Sequence, residues 1–208
     1  MKKILFTLLG SVLLAGSAVA QDWAKSNFGV RLGFNVANAA VEDLSTDAKM
    51  GFRVGGFYEH KVMANAPLYI ETGLNFSQQG FKCEMLGFSL NSTLWYMELP
   101  VMVNYKLAVA EEITVAPFAG MYYGIGIGGN SSSTYIDEDM ALYESEKTSS
   151  FGSGGFSRSD LGFRLGVTAD WKKYQLSIGY SRGLLDVAPD AFPAVKNSFW
   201  SFMVGYRF

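Results

Sequence analysis

Ten ionised side chains pose the chemical problem in this sequence: Arg31, Arg53, Lys106, Arg164 and Arg207, with Glu59, Glu71, Glu98, Asp160 and Asp170. Each falls on the small, polar side of a stretch that alternates apolar and polar residues, so five basic and five acidic groups share one face and cancel. Counting from segment ends puts Arg31, Glu59, Glu71, Lys106, Asp170 and Arg207 at one level, and Arg53, Glu98, Asp160 and Arg164 at another. Both signs occur at each level. Charges turned into a common interior must pair or suffer a heavy desolvation cost. Two chemistries fit such a set: a salt-bridged plug, or a narrow path or gate for protons or ions. The plug is the expected reading.

Other candidates for chemistry are weaker. Gly124–Gly129, GIGIGG, looks superficially like a nucleotide loop, but lacks the strand-to-helix setting and the P-loop lysine. Small inward residues at a loop entry explain it better. His60 is the single histidine, and no nucleophile with an orienting acid stands beside it, as a triad requires; it reads as an interfacial residue. The segment 128–157 holds Asp137, Glu138, Asp139, Glu144 and Glu146 without the spacing of an EF-hand. It is expected to be a solvated loop. No catalytic residue, cofactor or metal site is expected.

The elements that must carry the ten charges are strands. Phe28, Val30, Leu32, Phe34 and Val36 alternate with Gly29, Arg31, Gly33 and Asn35, and the same period of two recurs through seven further segments, ending in NSFWSFMVGYRF. Such alternation marks half-buried strands. The gaps between segments run long (37–49), short (62–66), long (79–92), short (108–111), very long (128–157), very short (172–173) and long (184–196). An antiparallel meander whose loops grow at one end only matches an outer-membrane barrel, with short periplasmic turns and longer outside loops. The sequence therefore predicts an all-β, eight-stranded, antiparallel, up-and-down transmembrane β-barrel. Proline removes a ladder hydrogen bond, so bulges or strand ends are expected at Pro100 and Pro117.

A soluble barrel also alternates, but it would show charge outside and hide its apolar face. Here one face carries Phe, Leu, Ile, Val, Trp and Tyr with almost no charge, and the other carries glycine, small polar and ionised residues. Aromatics gather at segment ends (Phe28, Trp95, Tyr105, Trp171, Tyr174, Tyr206, Phe208) as an interfacial girdle would.

The N-terminus supplies an address. Lys2 and Lys3, an apolar run from Ile4 to Ala15, and Ala18-Val19-Ala20 have the order of a secretory signal peptide. Residues 1–20 are expected to be removed before Gln21, leaving 21–208 as one barrel domain. Loss of two lysines leaves 15 basic residues against 19 acidic ones, a balance that argues against nucleic acid. Cys83 is alone, so no internal disulfide stabilises the chain. At the other end Trp200, Phe202, Val204, Tyr206 and Phe208 face one side, and this aromatic-ended strand is expected to act as a C-terminal assembly signal.

FGVRLGFNV, GFRVGGFYEH, LYIETGLNFSQQGFK, MELPVMVNYKL, and DLGFRLGVTADW followed by YQLSIGYSRGLLDV together resemble the outer-membrane β-barrel domain family that includes PorT-like, "porin family" proteins. Glu71 with Ser77-Gln78-Gln79-Gly80, and Glu98-Leu99-Pro100, are the most recognisable positions. The resemblance implies a Gram-negative outer-membrane protein and makes Pro100 a family feature; some relatives assist a secretion apparatus. The expected role is a non-enzymatic structural or interaction barrel of the cell envelope. Its expected partners are outer-membrane lipid, lipopolysaccharide and, during biogenesis, the outer-membrane assembly machinery. The alternatives are a narrow porin-like channel for ions or small solutes, and a lipid A-modifying enzyme.

Overall fold

The computed structural model describes residues 25–41, 47–85, 88–137, 142–151, 154–188 and 194–208. The expected signal peptide, and Glu138 and Asp139 of the acidic segment, lie outside the described residues. Ten strands occur among those described: β1 (Ser26–Val41), β2 (Asp47–Lys61), β3 (Leu68–Met85), β4 (Phe88–Tyr105), β5 (Leu107–Ala110), β6 (Ile113–Asp137), β7 (Leu142–Ser149), β8 (Ser159–Trp171), β9 (Tyr174–Gly183) and β10 (Val195–Arg207). Eight of them close a ring. Each of β1 to β3 pairs antiparallel with the next, β4 with β6, β6 with β8, β8 with β9, β9 with β10, and β10 with β1. The remaining two are annexes: β5 prolongs β4 beyond Lys106, and β7 folds back on the outer half of β6. Closure leaves no unpaired sheet edge in contact with lipid, which a membrane-spanning sheet requires.

The connections at one end are short: 62–67, 111–112 and 172–173. Lys172 takes a left-handed backbone there, with φ 54°, as the first residue of a two-residue hairpin does to match strand twist. At the other end the sequence expectation needs correction. Much of what reads as long loop is strand, because β1 runs to Val41, β3 to Met85, and β6 with β7 forms a hairpin as far as Asp137 and Leu142. The physical reason is solvent. Past the bilayer the outward face meets water, as at Lys82, while Phe81 and Cys83 turn inward under apolar cover, so the apolar-outward pattern stops while backbone pairing continues.

The prolines also differ from expectation, since neither stands in a bulge. Pro100 keeps its register with Tyr122 of β6. The ladder toward β3 lapses beside it, and Thr72 Oγ1 donates to the Pro100 carbonyl at 3.0 Å. Pro117 keeps its register with Val167 of β8 and, on its other side, lies in the gap in pairing where Lys106 separates β4 from β5. Both missing donors fall where no ladder bond is made. The register shifts lie elsewhere, between Ala48 and Arg53, at Trp95–Tyr96 opposite Gly126–Gly128, and between Ala108 and Ala110.

Outward positions are exposed and apolar, among them Leu32, Val101, Leu165, Leu176, Ile178 and Val204. Inward positions are buried and mixed. Large rings reach inward from one strand over glycine on the next: a Cβ at Gly29 would stand 2.6 Å from the Phe57 ring, and one at Gly162 or Gly166 would stand 2.5 Å from Tyr122 or Phe118. Glycine is abundant inside because the neighbouring strand's aromatic occupies its side-chain space.

Candidate functional site

Strand alternation aims all ten ionised residues into the lumen, and the structure gathers them in two layers. Near the short turns, the Arg31 guanidinium grips Glu71 with both terminal nitrogens, at 2.6 and 2.7 Å, and its Nε donates to Gln175. Asn104 donates to the same Glu71 carboxylate at 3.1 Å. Lys106 pairs with Glu59, and Arg207 pairs with Asp170 while approaching Glu59 at 3.8 Å. Gln175 Nε2 donates to Asp170 at 2.7 Å, joining the Arg31–Glu71 pair to the Arg207–Asp170 pair. Arg31 also lies 3.9 Å from the Phe57 ring centroid, and Lys106 lies 4.3 Å from that of Tyr69. Three cations and three anions thus form one connected web.

Higher in the lumen Glu98, wholly buried, stands between two guanidiniums. Arg53 donates to it at 2.5 and 3.3 Å, Arg164 at 2.7 Å, and Gln79 at 3.0 Å. Asp160 joins this layer without an ion pair among the described residues. Its carboxylate accepts from Tyr122 at 3.2 Å and Asn197 at 2.9 Å, and its Oδ1 has no partner. The Arg164 guanidinium sits 4.8 Å from the Tyr122 ring centroid, so a tyrosine separates it from Asp160. Between the layers lies a cavity of about 40 Å³ lined by Arg31, Arg53, Phe57, Glu71 and Arg164, among others. That is room for a few water molecules.

The outer mouth holds the feature the sequence did not disclose. Phe151 and Phe156, from the connection after β7, and Val187, from the connection before β10, fold inward over the lumen. They pack on Phe81, Cys83, Leu90, Leu94, Tyr96 and Val195. Backbone bonds hold the cap: Ser157 N donates to Val187 O at 2.9 Å, and Val187 N donates to Val195 O at 2.9 Å. Asp186 Oδ1 accepts from the backbone N–H groups of Ala188 and Val195. These rings sit in stretches whose composition reads as solvated loop. Aromatics inside a glycine- and serine-rich run (Phe151-Gly-Ser-Gly-Gly-Phe156) were the available signal.

The glycines of Gly124–Gly129 serve this architecture. Gly126 lies under the Phe151 ring, and Ile127 is the extra residue of the bulge opposite Trp95–Tyr96. His60 stands at the short-turn rim, where Nδ1 meets Ser26 Oγ at 2.8 Å and the ring stacks near Tyr58. Asp137 belongs to β6, Glu144 to β7, and Glu146 is exposed on β7. Among the described residues no three His, Cys, Asp or Glu side chains are grouped as a metal would need. The aromatic face of β10 packs along β1: Phe202 stacks on Phe34 at 5.1 Å, Phe208 on Phe28 at 5.1 Å, and Phe208 N donates to Phe28 O at 3.0 Å.

Comparison with known proteins agrees with this architecture. The family model described as "Outer membrane protein beta-barrel domain" matches residues 19–188. Among solved structures, the attachment invasion locus protein Ail of Yersinia pestis is similar with a TM-score of 0.51 at 14% identity, over 89% of this chain and all of that one. A major outer membrane protein from Thermus thermophilus gives 0.48 at 14% identity, over 89% of this chain and 100% of the other. OprG from Pseudomonas aeruginosa gives 0.47 at 12%, over 88% and 96%. No curated protein matches the chain in sequence. A closed lipid-facing ring of eight strands and a family match over most of its length lead to one assignment: the chain is an outer-membrane β-barrel and belongs to the outer membrane protein beta-barrel domain family.

Proposed function

We propose that the protein is a non-conducting, non-enzymatic barrel whose part in the envelope is a structural or interaction role, played by its outer hairpins and lipid-facing wall. The observation that carries this reading is the sequence of obstructions along the lumen: the apolar cap of Phe151, Phe156 and Val187, the Arg53–Glu98–Arg164 layer, and the lower web. An eight-stranded barrel is only just wide enough for side chains to fill it, and here large rings and long charged chains fill it. The protein reaches the membrane by export through a cleaved signal peptide and is inserted by the outer-membrane assembly machinery. Lipopolysaccharide surrounds its outer half.

Single-channel recording in planar bilayers tests this reading. The expected trace has no stable open level, and a large steady conductance overturns it. A narrow ion path is the second reading, favoured by the polar cavity between the two charge layers. It predicts small, frequent openings that enlarge when Phe151 and Phe156 are both replaced by alanine.

A further inference from the structure

The outer wall of β9 and β10 carries a second charged site, and among the described residues its cations form no ion pair. Outward cross-strand pairs rise in order from the short-turn end: Tyr174 with Tyr206, Leu176 with Val204, Ile178 with Phe202, Tyr180 with Trp200, and Arg182 with Ser198. Aromatic, then two wholly apolar pairs, then aromatic, then polar is the profile of a bilayer from one interface to the other. Arg182 is eight residues above Tyr174, which is roughly 20 Å along the membrane normal at a tilt of about 40°. That height is near the top of the apolar band. Lys196 lies one outward step beyond Ser198, diagonal to Arg182 and within reach of the same group. Its neighbour on β1 is Ala40, and that of Arg182 on β8 is Phe163.

All five lumenal cations find an anion or share one. Arg182 and Lys196 form no ion pair among the described residues, and Asp186, four residues after Arg182, is engaged by backbone N–H groups. Below them Tyr180 and Trp200 pack at 5.2 Å, and the Tyr180 hydroxyl bonds Ser198 Oγ at 3.0 Å. The result is an apolar, ring-studded wall for acyl chains, crowned by a guanidinium and an ammonium at headgroup level.

We propose that Arg182 and Lys196 bind the phosphate groups of lipid A in the outer leaflet, with its acyl chains lying along Tyr180, Trp200, Ile178 and Phe202. Arginine suits a phosphate through charge-assisted, often paired hydrogen bonds. The end of the barrel selects the lipid: this rim lies opposite the short turns, where the outer leaflet's phosphorylated glycolipid is the anion at hand. The site is on the outside of the wall, so the inference stands whether or not the lumen conducts.

The test isolates the full-length protein from outer membranes in mild detergent and counts lipid A per barrel by mass spectrometry. Arg182→Glu/Lys196→Glu is compared with the native protein and with Lys172→Glu/Lys173→Glu at the opposite rim. Lipid A is expected to fall about tenfold in the first variant and to stay unchanged in the second. Arg182→Gln/Lys196→Gln carries the same test should the reversed charges prevent folding. In nanodiscs, binding of bis-phosphorylated lipid A is expected to exceed that of its dephosphorylated form and of phosphatidylglycerol. Unchanged lipid A in both rim variants overturns the proposal, as does equal loss in the opposite-rim control. Preference for phosphatidylglycerol overturns the choice of lipid.

Discussion

The two charge layers inside the barrel solve one electrostatic problem in opposite ways. The lower layer spreads three cations and three anions over six strands or strand ends, with Gln175 and Asn104 as bridges. Arg31 retains 15% side-chain exposure and Arg207 17%. The upper layer hangs two guanidiniums on Glu98, which has none. The lower layer is partly wet and, around Arg207, redundant: Glu59 also holds Lys106 and Asp170 also holds Gln175, so losing Arg207 leaves both acids with a partner. The upper layer depends on one carboxylate, and losing it leaves two like charges facing each other in a low-dielectric interior.

The largest expected effect therefore belongs to Glu98→Gln, at about 3–5 kcal/mol of destabilisation. It is read as a fall in the urea midpoint of the folded barrel and in the temperature at which its unboiled gel band shifts. Adding Arg53→Gln should recover part of that loss, and no recovery would mean the two arginines do not compete for the site. Next comes Glu71→Arg, which sets two cations together and should cost about 3 kcal/mol. The swap Arg31→Glu/Glu71→Arg should restore part of the stability. If the double variant is no better than the single ones, the bidentate pair is not the source of the effect.

Arg207→Ala probes the redundancy of the lower layer. Glu59 keeps Lys106, and Asp170 keeps Gln175, so the expected cost is only about 1–2 kcal/mol. A loss as large as that of Glu98→Gln would erase the contrast between the layers. The smallest effect is expected for Lys172→Ala, which removes the pair with Glu112 at 3.2 Å, each partner 54% exposed. Surface pairs are worth about 0–1 kcal/mol, and the urea midpoint should barely move.

Much of this was legible in the chain. Arg31, Glu71, Glu98 and Arg207 fall on the inward face because a period of two leaves them no other side. The ring of eight follows from eight alternating segments. Other features were hidden for identifiable reasons. The extent of β3, β6 and β7 beyond the membrane was not visible, because past the bilayer the outward positions are polar, as at Lys82 and Glu146, and the apolar-outward alternation ends. Pairing of Arg164 with Glu98, rather than with Asp160, depends on where Tyr122 stands between them, which shear and tilt decide. The cap of Phe151, Phe156 and Val187 depends on two separate connections folding toward each other, a contact without local sequence grammar.

The sequence by itself determined the membrane, the face of each residue in the lipid-spanning strand segments and the charge balance of the lumen, because alternation is a local property of the backbone. Only the tertiary structure decided who pairs with whom, what closes the outer mouth, and that Arg182 and Lys196 take diagonal positions on neighbouring strands of the outer wall. Those depend on strand register around a closed ring, where residues 31 and 71, or 98 and 164, become neighbours through the geometry of closure and not through distance along the chain.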